Sequence, residues 1–170
     1  MENPLNLNVL QIVQVIAILL TGLVAGLFYG YDCSVVKGLG NLPDDLYLRS
    51  FQSINRSIQN PYFFFSFMGS LVTLPTAAWL NYKNCHLATF YLLLSATVVY
   101  FIGVFGVTLF CNVPLNERLA NFSISTATTT DLSAMRQTFE KPWNNYHTVR
   151  TIASVISFGL TILSLIRQKI

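Results

Sequence analysis

Four runs of this chain contain no Asp, Glu, Lys or Arg: Asn3 to Tyr31, Ser57 to Tyr82, Asn84 to Asn116 and Thr151 to Ile166. A helix needs about 20 apolar residues to cross a bilayer core roughly 30 Å thick. It can do so because its backbone polar groups are satisfied internally. The first three runs are long enough. The fourth has 16 residues, which at helical rise cover only about 24 Å. Its missing turn must draw on His147 through Arg150, which places those side chains at the interface or inside a helix bundle. The predicted fold class is all-α: an integral membrane four-helix bundle with amphipathic helices in the two long connections. It forms one domain over 1–170, with spans near 7–31, 61–82, 87–111 and 146–166.

Composition agrees. Charged residues make up 10% of the chain and hydrophobic residues 53%, whereas soluble domains carry about a quarter charged residues. A net charge of +3 with no basic cluster excludes nucleic acid as a partner and leaves membrane lipid. The first span lacks the charged start and small-residue cleavage site of a removable signal and reads as retained. Lys83, Arg167 and Lys169 are dense on the short-link side. That density puts both termini in the cytoplasm, although the total count of basic residues favours the reverse. Oligomeric state is not encoded in any pattern here.

Punctuation divides the connections. Pro43-Asp44-Asp45 is a helix-start signal, followed by Tyr47, Phe51, Ile54 and Ile58 at helical spacing. This describes an amphipathic helix on the membrane or capping the bundle, stopped by Asn60-Pro61. Leu132, Met135 and Phe139 predict a second short helix ending before Pro142, while Asn121 to Thr130 reads as an irregular loop. Pro75 is a candidate kink in the second span. Pro114 is expected to end the third span, with Asn112 and Asn116 capping freed carbonyls or orienting a ligand. Glu117 is a candidate partner for Arg118 or Arg150. Gly22, Gly26 and Gly30 predict close helix packing, or room for a ligand. Gln11 and Gln14 are expected to bond to other helices. Cys33 and Cys111 share one face and are candidates for pairing, and Cys85 reads as a small buried thiol. Asn55-Arg56-Ser57 and Asn121-Phe122-Ser123 match glycosylation sequons. Trp143 and Tyr146 fit an interfacial aromatic belt.

The fourth span carries the strongest polar pattern. His147, Arg150, Ser154, Ser157, Thr161 and Ser164 are spaced three and four apart, which is one stripe and belongs in a bundle interior. Its Ser and Thr residues serve as interhelical contacts. Ionisable groups at membrane depth are functional candidates. Imidazole can act as a general base, and a neighbouring guanidinium can stabilise an enolate or carboxylate. The alternative is an interfacial cap beside an arginine reaching the headgroups. Gln52, Asn55 and Gln59 form a further polar line, either solvated or roofing a cavity. There is no HExxH, CxxC pair, phosphate loop or dinucleotide fingerprint. With His86 and His147 on opposite faces, a haem or multi-histidine metal site is not expected.

Three blocks, Ser34 to Pro61, Asn112 to Leu119 and Trp143 to Thr151, together resemble the anthrone oxygenase-like family of small four-helix membrane proteins. Many bacterial members of that family belong to a domain of unknown function. Relatives in polyketide pathways oxidise an anthrone to an anthraquinone with dioxygen and no known cofactor. The resemblance implies an oxidoreductase site with His147 as base and Arg150 as anion stabiliser. Trp143 would form part of an aromatic wall, and Asn112, Asn116, Gln52 and Asn55 would orient polar substituents of a hydrophobic aromatic small molecule. Val36-Lys37-Gly38 departs from the methionine-proline-glycine often found in relatives, which changes the mouth of the site. The competing reading is a non-catalytic module that binds a lipid, a hydrophobic small molecule or a partner helix, the last through Phe51 and Ile54.

Overall fold

A computed structural model describes residues 8–168; the start of the first uncharged run, from Asn3 through residue 7, and Lys169 lie outside them. Among the described residues there are helices and turns and no strand. Helix α1 is Val9–Gly40, α2 Asp44–Ser57, α3 Pro61–Lys83, α4 Leu87–Ala120 and α5 Thr129–Gln168. All but α2 are long and apolar enough to cross a membrane. The four pack in a ring, α1 on α3, α3 on α4, α4 on α5 and α5 back on α1. The all-α four-helix membrane architecture follows.

Local chemistry sets the starts. Asn8 Oδ1 accepts the Gln11 N–H at 2.9 Å, and Gln11 Oε1 accepts the Asn8 N–H at 3.1 Å. Gln11 is thus consumed by a capping box and does not reach another helix. Asn60 Oδ1 accepts the Phe63 N–H at 3.1 Å, with Pro61 at the first helical position, so α3 begins where the sequence indicated.

Three expected ends are overrun. Helix α1 continues past Tyr31 through a π-helical turn, Tyr31–Val35. The polar sequence ends the apolar run, but Tyr31, Val36 and Leu39 still pack on a second hydrophobic cluster. Helix α4 passes Asn112 and Pro114 after two π-helical stretches, Tyr100–Gly106 and Thr108–Asn112. The Val113 N–H bonds back to the Thr108 carbonyl in the wider register. Pro114 then sits at the start of the resumed α segment, where its missing N–H costs little. The short helix before Pro142 and the fourth span are one continuous helix. An interior proline costs about 3 kcal/mol. Phe139 and Trp143, on one face astride Pro142, are 2% and 3% exposed, and their burial offsets it. Trp143 is therefore a core residue, not part of an interfacial belt.

The aromatic cluster of Tyr47, Phe51, Leu119, Phe139 and Trp143 docks α2 across one end of the bundle. Phe51 is fully buried there and offers no face to a partner helix. Arg136, which the sequence did not single out, clamps this corner. It donates to the Gly40 and Leu42 carbonyls at 2.8 and 2.7 Å and pairs with Asp44 at 2.9 Å and Glu140 at 2.7 Å. Its guanidinium lies 4.4 Å from the Tyr47 ring centroid. Burial pushes the Tyr47 phenol above its ordinary range, Glu140 adds to this and Arg136 opposes it.

All three cysteines are free thiols. Cys85 is exposed, not buried, because the tight α3–α4 link has no interior; it takes the turn's left-handed position at φ 61°. Of the sequon asparagines, Asn121 is exposed, while the Asn55 amide nitrogen is enclosed.

Candidate functional site

Beneath α2, at the end of the bundle, lies a chamber of about 440 Å³ to which all five helices contribute. That is room for one flat, drug-sized molecule. Phe28, Phe63, Phe67 and Phe105 supply most of its apolar wall, and Ile54 and Ile58 of α2 its roof. Leu27, Phe64, Met68 and Leu109 border it too, each more than 40% exposed on the bundle's apolar outer surface.

The polar stripe of α5 faces inward throughout, with each of its six residues buried. Ser157 Oγ donates to the Ala96 carbonyl at 2.9 Å, and Ser164 Oγ accepts from Gln14 Nε2 at 2.6 Å. These join neighbouring helices, as expected of both Gln14 and the serines. At the chamber end the stripe terminates in His147 and Arg150, 1% and 8% exposed, and both line the cavity.

Their hydrogen bonds fix a tautomer. Arg150 Nε donates to His147 Nδ1 at 3.1 Å. Arginine has no acceptor, so Nδ1 carries the lone pair. The ring proton is then on Nε2, which lies 3.2 Å from the Phe28 carbonyl oxygen and donates to it. The imidazole stacks on Trp143, with ring centroids 5.0 Å apart and planes at 20°. It meets Phe28 and Tyr31 edge-on at 5.6 and 5.2 Å. The guanidinium lies 4.5 Å from the Phe28 centroid and 5.1 Å from that of Trp143. Its other hydrogen bond among the described residues is a long one, Nη1 to Thr108 Oγ1 at 3.4 Å. Among the described residues the ion pairs are those of Arg136; Arg150 has no carboxylate, and Glu117 lines the chamber unpaired. A buried guanidinium held between aromatic faces, with donors to spare, has the chemistry to bind an electron-rich oxygen.

The sequence-derived residues divide into two groups. His147, Arg150, Trp143, Asn116, Gln52 and Asn55 all border the chamber. Asn112 does not. It is fully buried behind the wall, and its Nδ2 donates to the Trp143 carbonyl at 3.3 Å. Asn116 Oδ1 accepts the Trp143 indole N–H at 2.7 Å, so both asparagines hold the tryptophan in place. Gln52 Nε2 donates to the Leu119 and Phe122 carbonyls at 2.8 and 3.0 Å, tying α2 to the end of α4. Asn55 Nδ2 has no partner among the described residues. Sequence reasoning missed Tyr31, Phe28 and Thr108. Tyr31 lies in the π-helical turn, which breaks the α-helical periodicity by which it would have been placed.

The family model described as Anthrone oxygenase matches residues 63–160. The match takes in α3, α4 and most of α5, hence Asn112, Asn116, Trp143, His147 and Arg150, and stops short of α1 and α2. No curated protein and no solved structure matches the chain.

Proposed function

The chain belongs to the anthrone oxygenase family, and from that premise we propose that the chamber oxidises a flat, lipophilic, reduced aromatic with dioxygen. The observation that carries this reading is Arg150, buried, without a carboxylate partner among the described residues, and facing an aromatic-walled cavity. In such a substrate a CH₂ group stands conjugated to a ring carbonyl. Loss of one C–H proton turns the carbonyl oxygen into an enolate, whose charge the guanidinium stabilises. The carbanionic carbon reduces dioxygen and forms a C–O bond to it. Cleavage of the O–O bond, with departure of the second C–H hydrogen, leaves a new carbonyl and one water. Both atoms of dioxygen and both hydrogens are accounted for. Aromatic walls exclude water and strengthen each charge interaction inside.

His147 is the base in this scheme, and its geometry sets a condition. Its lone pair is occupied by Arg150 Nε at rest. The substrate's carbonyl oxygen draws the guanidinium toward itself on binding, which frees Nδ1 to take the C–H proton, and the same guanidinium then holds the enolate oxygen that forms. His147→Asn separates the two duties, because an amide oxygen can accept from Arg150 but cannot take a proton at neutral pH. The expected result is a fall in kcat of about 100-fold or more in oxygen uptake with an anthrone, with binding of the quinone product retained. Wild-type turnover in this variant removes the base. A ligand-induced thermal shift in the parent protein without oxygen uptake favours the binding module.

We place both termini in the cytoplasm, and thus the chamber near the opposite surface, on the density of Lys83 and Arg167 beside the short link. Cys85, exposed in that link, reports on this directly. In a Cys33→Ser, Cys111→Ser background, which leaves Cys85 as the one thiol, a membrane-impermeant maleimide is expected to label it only after cells are opened; labelling in intact cells reverses the orientation.

A further inference from the structure

The chamber wall reaches the outside of the ring at one gap. Phe64 and Met68 of α3 and Leu109 of α4 line the chamber, yet each is 41–44% exposed on the outer surface. Phe64 and Met68 lie within a turn of Phe67, whose carbonyl oxygen accepts the Tyr100 hydroxyl of α4 at 3.0 Å. That is the one side-chain hydrogen bond between α3 and α4 among the described residues. Leu109 is a turn beyond Phe105, whose ring stands 6.0 Å from that of Phe67. The two helices pack closely from the short link to Val99, and lose that approach over the π-helical stretches that follow. Such stretches are rare and cluster at functional sites. The neighbouring seam is shut: Gly69, on the other side of α3, has no room for a Cβ, which would lie 2.8 Å from Leu20 Cδ1 of α1.

We propose that the gap between α3 and α4 is a lateral port, through which the chamber takes its ligand from the hydrocarbon of the bilayer and returns the product there. Phe64 and Leu109 both belong to runs without a charged residue, Ser57 to Tyr82 and Asn84 to Asn116, so the gap opens on acyl chains and not on water. The border under α2 differs, because Arg56 and Glu117 stand there exposed. A flat lipophilic molecule concentrates in the hydrocarbon phase, on the side of the port. Phe64, Met68 and Leu109 suit a gate. Fluid chains bound them on one side, so they swing outward without displacing packed protein, and methionine is the most adaptable of apolar side chains. The identity of the ligand rests on the oxidase reading; the route does not, since an acyl chain meets the same gap.

The test staples the port. Phe64→Cys and Leu109→Cys are combined in the full-length protein with Cys33→Ser, Cys85→Ser, Cys111→Ser and Trp79→Phe, which leaves Trp143 as the one tryptophan. In lipid vesicles, a bifunctional thiol reagent that reductant cleaves joins the two cysteines. Anthraquinone dissolved in the vesicles quenches Trp143, 3% exposed and part of the chamber wall, as it enters. Stapling is expected to slow that quenching by about tenfold or more, and reductant to restore it. Joining Ser53→Cys to Arg118→Cys instead pins the roof where Gln52 already ties α2 to α4, and is expected to leave the rate within about twofold. Lipid with brominated acyl chains, a short-range quencher, gives a readout that needs no quinone, and the port staple is expected to lessen its quenching of Trp143. Brominated chains that reach Trp143 in a staple-dependent way, where the quinone never does, sustain the port while the oxidase reading fails. Entry that the roof staple alone slows, quenching that neither staple alters, or no quenching by either probe overturns the port.

Discussion

The two ends of this bundle treat buried polar groups in opposite ways. At the end bearing the short link and the termini, small residues bring helices together: Ala17, Ala77 and Ala96 are fully buried. Hydroxyls and amides there mostly bond to nearby backbone, Thr21 to the Ala17 carbonyl at 2.7 Å and Asn81 to that of Ala77 at 2.9 Å. At the other end, Phe28, Phe67, Phe105 and Trp143 are too large for such contact and hold the helices around a cavity. Arg150, Tyr31 and Asn55 are left there with bonding capacity unused. Hydrophilic residues in lipid therefore do not mark a site by themselves. They mark one where neighbouring bulk prevents the backbone from absorbing them. Gln14 Oε1 and Asn81 Oδ1 are also unpartnered, but they border no part of the chamber.

The sharpest way to break this contrast is to remove the unabsorbed charge. Arg150→Met keeps the length of the side chain and its contact with Phe28 while deleting the guanidinium. The expected loss in kcat is about 10²–10³-fold, the scale of a lost oxyanion donor. The melting temperature should hold or rise, since an unpaired buried cation is replaced by an apolar chain. Oxygen-uptake kinetics beside a thermal melt check both halves. A variant that melts early and turns over normally would make Arg150 a structural residue and the chamber an incidental void.

Much of this arrangement was legible from the chain alone, for physical reasons that differ by element. The inward stripe from His147 to Ser164 followed from spacing, because lipid penalises polar groups so heavily that helix rotation has little freedom. The boundary at Asn60-Pro61 followed from local capping chemistry. The ends of α1 and α4, and the continuity of α5 through Pro142, were not legible. There the aromatic cluster under α2 overrides local breakers, and its members come from α2, α4 and α5. The same non-local packing turns Asn112 from a chamber residue into a support for Trp143. Tyr31 was hidden because π-helical turns shift the face a residue occupies without leaving a sequence signature.

Smaller effects sharpen the contrast along the helix crossings. A Cβ added at Gly103 would lie 2.6 Å from Ala153 Cβ, a rigid neighbour one turn from Arg150 that cannot move aside without moving α5. Gly103→Ala is expected to cost about 1–3 kcal/mol, the usual range for overpacking, read as a lower midpoint in denaturant. A Cβ at Gly22 would lie 2.9 Å from the Phe158 ring edge, the far end of a side chain able to swing outward, so Gly22→Ala should cost less than Gly103→Ala.

Gly26 carries the smallest effect. It belongs by spacing to the same stripe as Gly22, yet a Cβ there meets nothing within 4 Å, and the residue is exposed. Alanine in a helix interior is favoured over glycine by up to about 1 kcal/mol. Gly26→Ala is therefore expected to raise the denaturation midpoint slightly and to leave turnover unchanged. If it instead destabilises the protein as much as Gly22→Ala, the upper part of α1 makes a contact beyond this single chain. The stripe would then be a helix-packing surface along its whole length, as its periodicity alone suggests. A neutral or stabilising result confines close packing to the Gly22 level and leaves the chamber end of α1 free of it. That is the division between a closed half and an open half on which the contrast rests.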